Sequence, residues 1–138
     1  MLEEKIKTLY EKQRLAHYRR IFGQVKERPG SLSATEAYAA DVIYLLDHPT
    51  IKQFSDFLGI SQPNATYKIN SLISKGYVVK KPSPTDKREY VLEVSDKFMD
   101  YMGRYETVDE AVGRLREKLS PEELELLEKL LTEFCDAL

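Results

Sequence analysis

The sequence predicts a mainly α-helical fold with one small β-hairpin, on three observations. Apolar residues recur close to every 3.6 positions through most of the 138 residues. Two short helical patterns meet at the tight turn Leu58-Gly59-Ile60-Ser61, the arrangement of a helix-turn-helix. Directly after them, two strand-like runs, YVVKK and EYVLEV, flank the loop PSPTDKR and read as a hairpin, which in that position is a wing. The expected architecture is a winged helix-turn-helix, and the length suits one domain, 1–138, with a core of its own.

The first helix is expected from residue 2 to about 28, with Leu2, Ile6, Leu9, Tyr10, Leu15, Tyr18, Phe22 and Val25 on its stripe, until Pro29-Gly30 stops the pattern. Ser33-Ala34-Thr35-Glu36 has the spacing of a capping box: the serine oxygen accepts from the N3 amide and the glutamate reaches back to the serine amide. It opens a second helix, ATEAYAADVIYLLD, ending before Pro49. Thr50-Ile51-Lys52-Gln53 repeats the spacing before the short helix IKQFSDFL, which Gly59 closes. Ser61 then caps QPNATYKINSLISK, where Pro63 falls in the first turn and its missing amide costs little, and Gly76 is the left-handed stop.

On this fourth helix Ala65, Ile69 and Leu72 share one face with Gly76, while Pro63, Tyr67, Asn70, Ser71 and Ser74 point the other way, with Asn64 flanking. That outward face has no acidic residue in a chain with 23 carboxylates, which suits a groove lined with phosphates. Strands are expected at Tyr77 to Lys81 and Glu89 to Val94, with Pro82 and Pro84 stiffening the loop. Ser95 caps a long helix with Phe98, Tyr101, Tyr105, Val108, Val112, Leu115 and Leu119 on its seam and Met102 beside it. Ser120-Pro121-Glu122-Glu123 is a third capping box, before a last helix with Leu124, Leu127, Leu131, Phe134 and Leu138, widened by Leu126 and Leu130. These stripes exceed what one winged helix covers, and each large side chain left in water forgoes about 1.5–3 kcal/mol. The expectation is a lobe at 33–95 and dimerisation helices at 1–30 and 96–138 that clasp a second copy; the alternative is an intramolecular three-helix pack.

The net charge of −2 hides a division. Residues 61–90 hold six bases against two carboxylates, a balance of +4, whereas residues 105–138 hold ten carboxylates against four bases, −6. Local charge is what phosphates feel. One cysteine, Cys135, and two histidines, His17 and His48, allow no disulfide and no metal cluster, and no cofactor is expected. No run approaches the roughly 18 apolar residues of a membrane span, and the charged N-terminus has no apolar signal region, so a cytoplasmic protein without a membrane partner is expected. No nucleophile and base spacing or phosphate loop points to an enzyme.

The order of elements, with Asp86-Lys87-Arg88 followed by a strand and then by Ser95 at the next helix start, resembles the MarR family of bacterial transcription regulators over essentially the whole chain. The triplet is similar to that family's Asp-x-Arg wing signature, and LGISQPNATYKINSLISKGYVVK resembles its recognition segment. Tyr67 stands where many members carry Arg, and Ser95-Asp96-Lys97-Phe98 where the family often has Thr-x-x-Gly.

The resemblance implies a homodimeric regulator, a repressor, with two recognition helices in successive major grooves of a double-stranded, pseudo-palindromic operator. Pro63, Asn64 and Tyr67 match positions that face bases, and Ser61, Gln62, Lys68 and Ser71 suit phosphate contacts. Arg88 suits a narrow minor groove, Lys87 adds phosphate affinity, and Asp86 supports the wing by holding Arg88. Members of the family commonly answer to a small lipophilic or phenolic effector, for which His17, Tyr18, Arg20, Tyr38 and Tyr44 would line a pocket. Cys135, beside Glu133 and Asp136, is a poor redox sensor because neighbouring carboxylates disfavour its thiolate. The rival reading is a winged-helix protein-protein interaction module that does not bind DNA.

Overall fold

The structure, a computed structural model, describes residues 1–24, 31–102 and 106–138. In chain order the elements are α1 (Leu2–Gln24), α2 (Ala34–Leu45), α3 (Ile51–Leu58), α4 (Gln62–Ser74), β1 (Val78–Pro82), β2 (Tyr90–Val94), α5 (Asp96–Met102), α6 (Glu106–Lys118) and α7 (Pro121–Ala137). The chain is mainly helical with one antiparallel hairpin. Val25, the stop at Pro29-Gly30 and Tyr105 lie outside the described residues. So does the stretch joining α5 to α6, which the sequence reads as one helix. Two compact units form, Met1–Arg104 and Tyr105–Leu138.

The first unit is built around one buried cluster to which each of its elements contributes a face: Ile21 from α1, Ala37, Ala40 and Ile43 from α2, Phe54 from α3, Ala65, Ile69 and Leu72 from α4, Val78 and Leu92 from the hairpin, and Phe98 and Met102 from α5. Phe98 and Met102, expected beside a dimer seam, are therefore core residues of this unit. The reason is local. Ser95 Oγ accepts from Phe98 N at 3.4 Å and donates to Gly76 O at 2.6 Å, tying the start of α5 to the end of α4.

Helix ends follow the capping chemistry. Ser33 Oγ accepts from Glu36 N at 3.2 Å and Thr50 Oγ1 from Gln53 N at 3.1 Å, each with the reciprocal bond to the cap amide. Gly59 (φ 66°) closes α3 in the left-handed region, with Ile60 N donating to Ser55 O and Gly59 N to Asp56 O. The same two-bond closure ends α4: Gly76 (φ 83°) donates to Ile73 O and Tyr77 N to Leu72 O. Because the Tyr77 amide closes the helix, β1 starts at Val78, one residue later than expected. It also ends one residue later, at Pro82, which pairs with Tyr90. Pro82 donates nothing to the ladder, and an outer hairpin end tolerates that.

Helix α2 stops at Leu45, short of the sequence pattern, because Asp47 and His48 take left-handed backbone (φ 54° and 58°) without being glycine. This reversal brings Pro49 O to accept from Leu92 N at 2.8 Å, so the α2–α3 connection adds a bridge, Thr50 to Val91, on the free edge of β2.

The second unit is a helical hairpin, with Ser120 capping α7 through a full capping box. None of the residues whose burial is described in α6 and α7 is buried, and Val108, Val112, Leu115, Leu126, Leu130, Leu131 and Phe134 are exposed. Among the described residues no helix is long and apolar enough to cross a membrane.

Candidate nucleic-acid interface

Helix α4 begins at Ser61, whose Oγ accepts from Asn64 N at 3.2 Å, and its exposed stripe is Pro63, Tyr67, Asn70 and Ser74, with Gln62 and Asn64 also exposed at the N-terminal end. Tyr67 is 77% exposed, an uncovered ring on a polar face. Lys68 is half-buried at the flank. No residue of α4 is acidic, so its N-terminal amides and partial positive charge face outward without a competing carboxylate.

Ser71 departs from the expected outward placement. It is half-buried and its hydroxyl donates to Glu36 Oε2 at 3.1 Å, part of a polar latch that sequence reading did not find. Glu36 serves its capping box and also receives Lys75 Nζ at 2.8 and 3.0 Å, while Lys75 Nζ donates to Ser31 O at 3.1 Å. The two side chains are only 24% and 23% exposed. Burial raises the Glu36 carboxyl's pKa, but the bonds from Lys75, the Ser33 amide and Ser71 outweigh it and leave the carboxyl below its ordinary value. The start of α2 thereby grips the last turn of α4. A glutamate at N3 of a cap was visible in sequence; its pairing 39 residues away was not.

The wing tip is held by its own backbone. Ser83 Oγ accepts from the amides of Thr85 and Asp86, Ser83 N donates to Glu89 O, and Asp86 Oδ1 accepts from Arg88 N at 2.9 Å. Asp86 Oδ1 also lies 3.5 Å from Arg88 Nε, while the Arg88 side chain is 91% exposed. Asp86 thus sets the backbone turn that presents Arg88, more than it holds the guanidinium. Lys87 is exposed beside it. On the hairpin, Lys80 Nζ lies 5.6 Å from the centre of the Tyr90 ring, and Lys81 Nζ pairs with Glu93 at 3.0 Å. Glu93 also lies 3.5 Å from His48 Nε2, and His48 Nδ1 is 2.8 Å from Asp47 Oδ1.

Of the residues expected at an effector pocket, three come together. His17 stacks on Tyr38 (6.5 Å between centroids), and Tyr18 meets both rings edge-on. Asp41, not singled out in the sequence, faces this group: burial raises its pKa and the nearby His17 opposes the shift in part. Arg20 is half-buried on the same helix as His17. Tyr44 stands apart, lining an open hollow of about 250 Å³ with His48, Leu92 and Met99. That volume is below the roughly 300–1,000 Å³ usual for small-molecule sites.

The MarR family model matches residues 31–89, from the start of the α2 cap to the base of β2. No curated protein sequence matches the chain. Among solved structures, a mutant of MepR from a multidrug-resistant S. aureus clinical isolate shares its fold at a TM-score of 0.61 and 13% identity, covering 99% of this chain and 96% of that one. FabT of Streptococcus pneumoniae in complex with DNA aligns at 0.56 and 22% identity over 99% and 96% of the two chains. AdcR, the adhesin competence repressor of Streptococcus pyogenes, aligns at 0.54 and 20% identity over 99% and 97%. The MarR family model thus matches the segment 31–89 alone, and over nearly its whole length the chain shares the fold of these solved structures.

Proposed function

We propose that this chain is a sequence-specific transcription regulator, a repressor, that binds a pseudo-palindromic operator in double-stranded DNA as a homodimer. Residues 33–95 form the DNA-binding lobe, and helices within 1–30 and 96–138 join the two copies. One observation carries the reading: a single unit presents an exposed, acid-free α4 face together with a wing tip whose backbone is held by its own hydrogen bonds and whose Arg88 side chain is 91% exposed. Asn64 and Tyr67 face bases with Pro63; Ser61, Gln62, Lys68 and Lys87 meet phosphate; Arg88 enters the minor groove. Ser71 contributes by holding α4 through Glu36. The DNA-bound state of FabT supports the same use of the fold.

Dimerisation is supported by α6 and α7: a two-helix hairpin without a described buried side chain cannot stabilise itself, so its leucines need a partner surface. Exposed Leu2, Leu9, Tyr10, Leu15 and Phe22 on α1 extend the argument to the first helix. A small phenolic or lipophilic effector that releases the operator binds at His17, Tyr18 and Tyr38 beside Asp41, with Arg20 near and Tyr44 outside the group.

The test is the salt dependence of binding to duplexes from the protein's own promoter region. Lys68, Lys80, Lys87 and Arg88 are the cations of the α4–wing segment not claimed by a distant carboxylate among the described residues, since Lys75 and Lys81 pair with Glu36 and Glu93. Two copies of those four cations give a slope of log affinity against log salt of about −7, against about −11 if all six per copy met phosphate. Arg88→Ala makes the slope shallower by about 2 per dimer. A flat salt response sinks the proposal in favour of a protein-protein module.

A further inference from the structure

We infer that Tyr67 is a thymine reader: α4 recognises A·T pairs in the major groove, with the Tyr67 ring on a thymine methyl and Asn64 on the neighbouring adenine. The inference rests on the DNA-binding reading above and goes beyond it in naming the bases. It follows from what the structure leaves available on α4. The helix has no arginine. Lys75, just beyond its end, is held by Glu36 and the Ser31 carbonyl, and Lys68 is half-buried at the flank. The Ser71 and Ser74 hydroxyls donate to Glu36 and to the Ser71 carbonyl. What remains exposed for base edges is the Pro63 ring, the amides of Gln62, Asn64 and Asn70, and the phenol of Tyr67, with Thr66 half-buried at the margin.

Guanine is read in the major groove chiefly by the two-pronged contact of arginine, or by lysine, to O6 and N7; this face offers neither at its centre. An asparagine amide matches adenine N6 and N7, and the one apolar group that base pairs show in this groove is the thymine methyl. A ring that is 77% exposed among polar neighbours is matched by that methyl. Asn64 and Tyr67 are three residues apart on a helix, so their side chains leave within about 5–6 Å of each other. Stacked bases are about 3.4 Å apart, so the pair addresses one or two adjacent base pairs.

The full-length protein is used to select binders from a randomised duplex library, and each thymine of the selected site is then replaced by uracil, which removes only the major-groove methyl. One position per half-site loses about 3- to 4-fold in affinity, the worth of one buried methyl. That loss persists in Tyr67→Phe and in Arg88→Ala, and disappears in Tyr67→Ala. Tyr67→Arg shifts preference at that position toward guanine by roughly 5-fold or more. Half-sites with G·C at every helix-facing position, or uracil substitution without cost in the wild type, overturn the assignment while leaving DNA binding intact. Absence of salt-dependent binding to any library member overturns DNA binding itself, and Tyr67's role with it.

Discussion

Replacing Lys75 with methionine removes the charge that Glu36 faces while keeping the aliphatic stem, and the geometry sets the cost. Lys75 Nζ donates to both Glu36 oxygens at 2.8 and 3.0 Å and to Ser31 O at 3.1 Å, with both side chains about three-quarters covered. Exposed pairs couple by about 0.2–1 kcal/mol, and breaking a fully buried pair costs about 3–5 kcal/mol. This one lies between, so Lys75→Met should lose about 2 kcal/mol, or roughly 6–10 °C in Tm for a chain of this size. Glu36→Gln is the partner variant, because glutamine also serves at the third position of a capping box. A double-mutant cycle by urea denaturation at fixed protein concentration should give a coupling of about 1–2 kcal/mol at pH 7. The Glu36 carboxyl is held below its unfolded value of 4.5, so this stability is present above that pH and is lost as pH falls through the folded value. The coupling should therefore shrink as pH falls below 4.5 through the folded value and vanish once the carboxyl is protonated in both states. Additivity of the two variants within about 0.5 kcal/mol at pH 7 refutes the latch.

Gly59→Ala should cost about 1–2 kcal/mol from left-handed strain alone, since nothing lies within 4 Å of the added methyl; a fall in the urea midpoint with unchanged slope checks it. Asp41→Asn should raise Tm at pH 7, because burial disfavours the ionised carboxyl in the fold. The sign reverses that of Glu36: the penalty grows as pH rises through the raised folded value and is absent below the unfolded value of 3.8, so the variant's gain should disappear in scans at pH 3. Leu130→Glu places a charge on the exposed leucine face of α7 and should convert the proposed dimer to a monomer in light scattering, whereas an unchanged mass removes α7 from the proposed interface.

Most of the helix ends, which local chemistry sets, were legible in the sequence. The capping pairs at Ser33, Thr50 and Ser120, the glycine stops at 59 and 76, and the buried face of Ala65, Ile69 and Leu72 depend on residues within a few positions of one another. The misplacements have other causes. Tyr77 falls outside β1 because its amide closes α4, and α2 stops early because Asp47 and His48 reverse the chain to let Pro49 O meet Leu92. Phe98 turned inward because Ser95 ties α5 to Gly76. In the last two cases a contact between distant segments decided between two local patterns that periodicity alone ranks equally, whereas Tyr77 was taken by the local closure of α4. Asp41 was missed for the same reason: its burial depends on α1 packing across α2.

The same distant contacts revise the meaning of the charge. Residues 61–90 count as +4, yet Lys75 is drawn to Glu36 and Lys81 to Glu93, two carboxylates outside that window. What is left is concentrated at the hairpin, in Lys80, Lys87 and Arg88, with Lys68 on α4. The unit Met1–Arg104 still holds 17 bases against 13 carboxylates, while Tyr105–Leu138 stands at −6, so phosphate attraction favours the first unit. Within it, the exposed stripe of α4 is neutral. Under the proposed function, affinity and discrimination then reside on different elements. The wing supplies the salt-dependent attraction that fixes register, and α4 can afford amides and a phenol because it does not have to hold the DNA by charge.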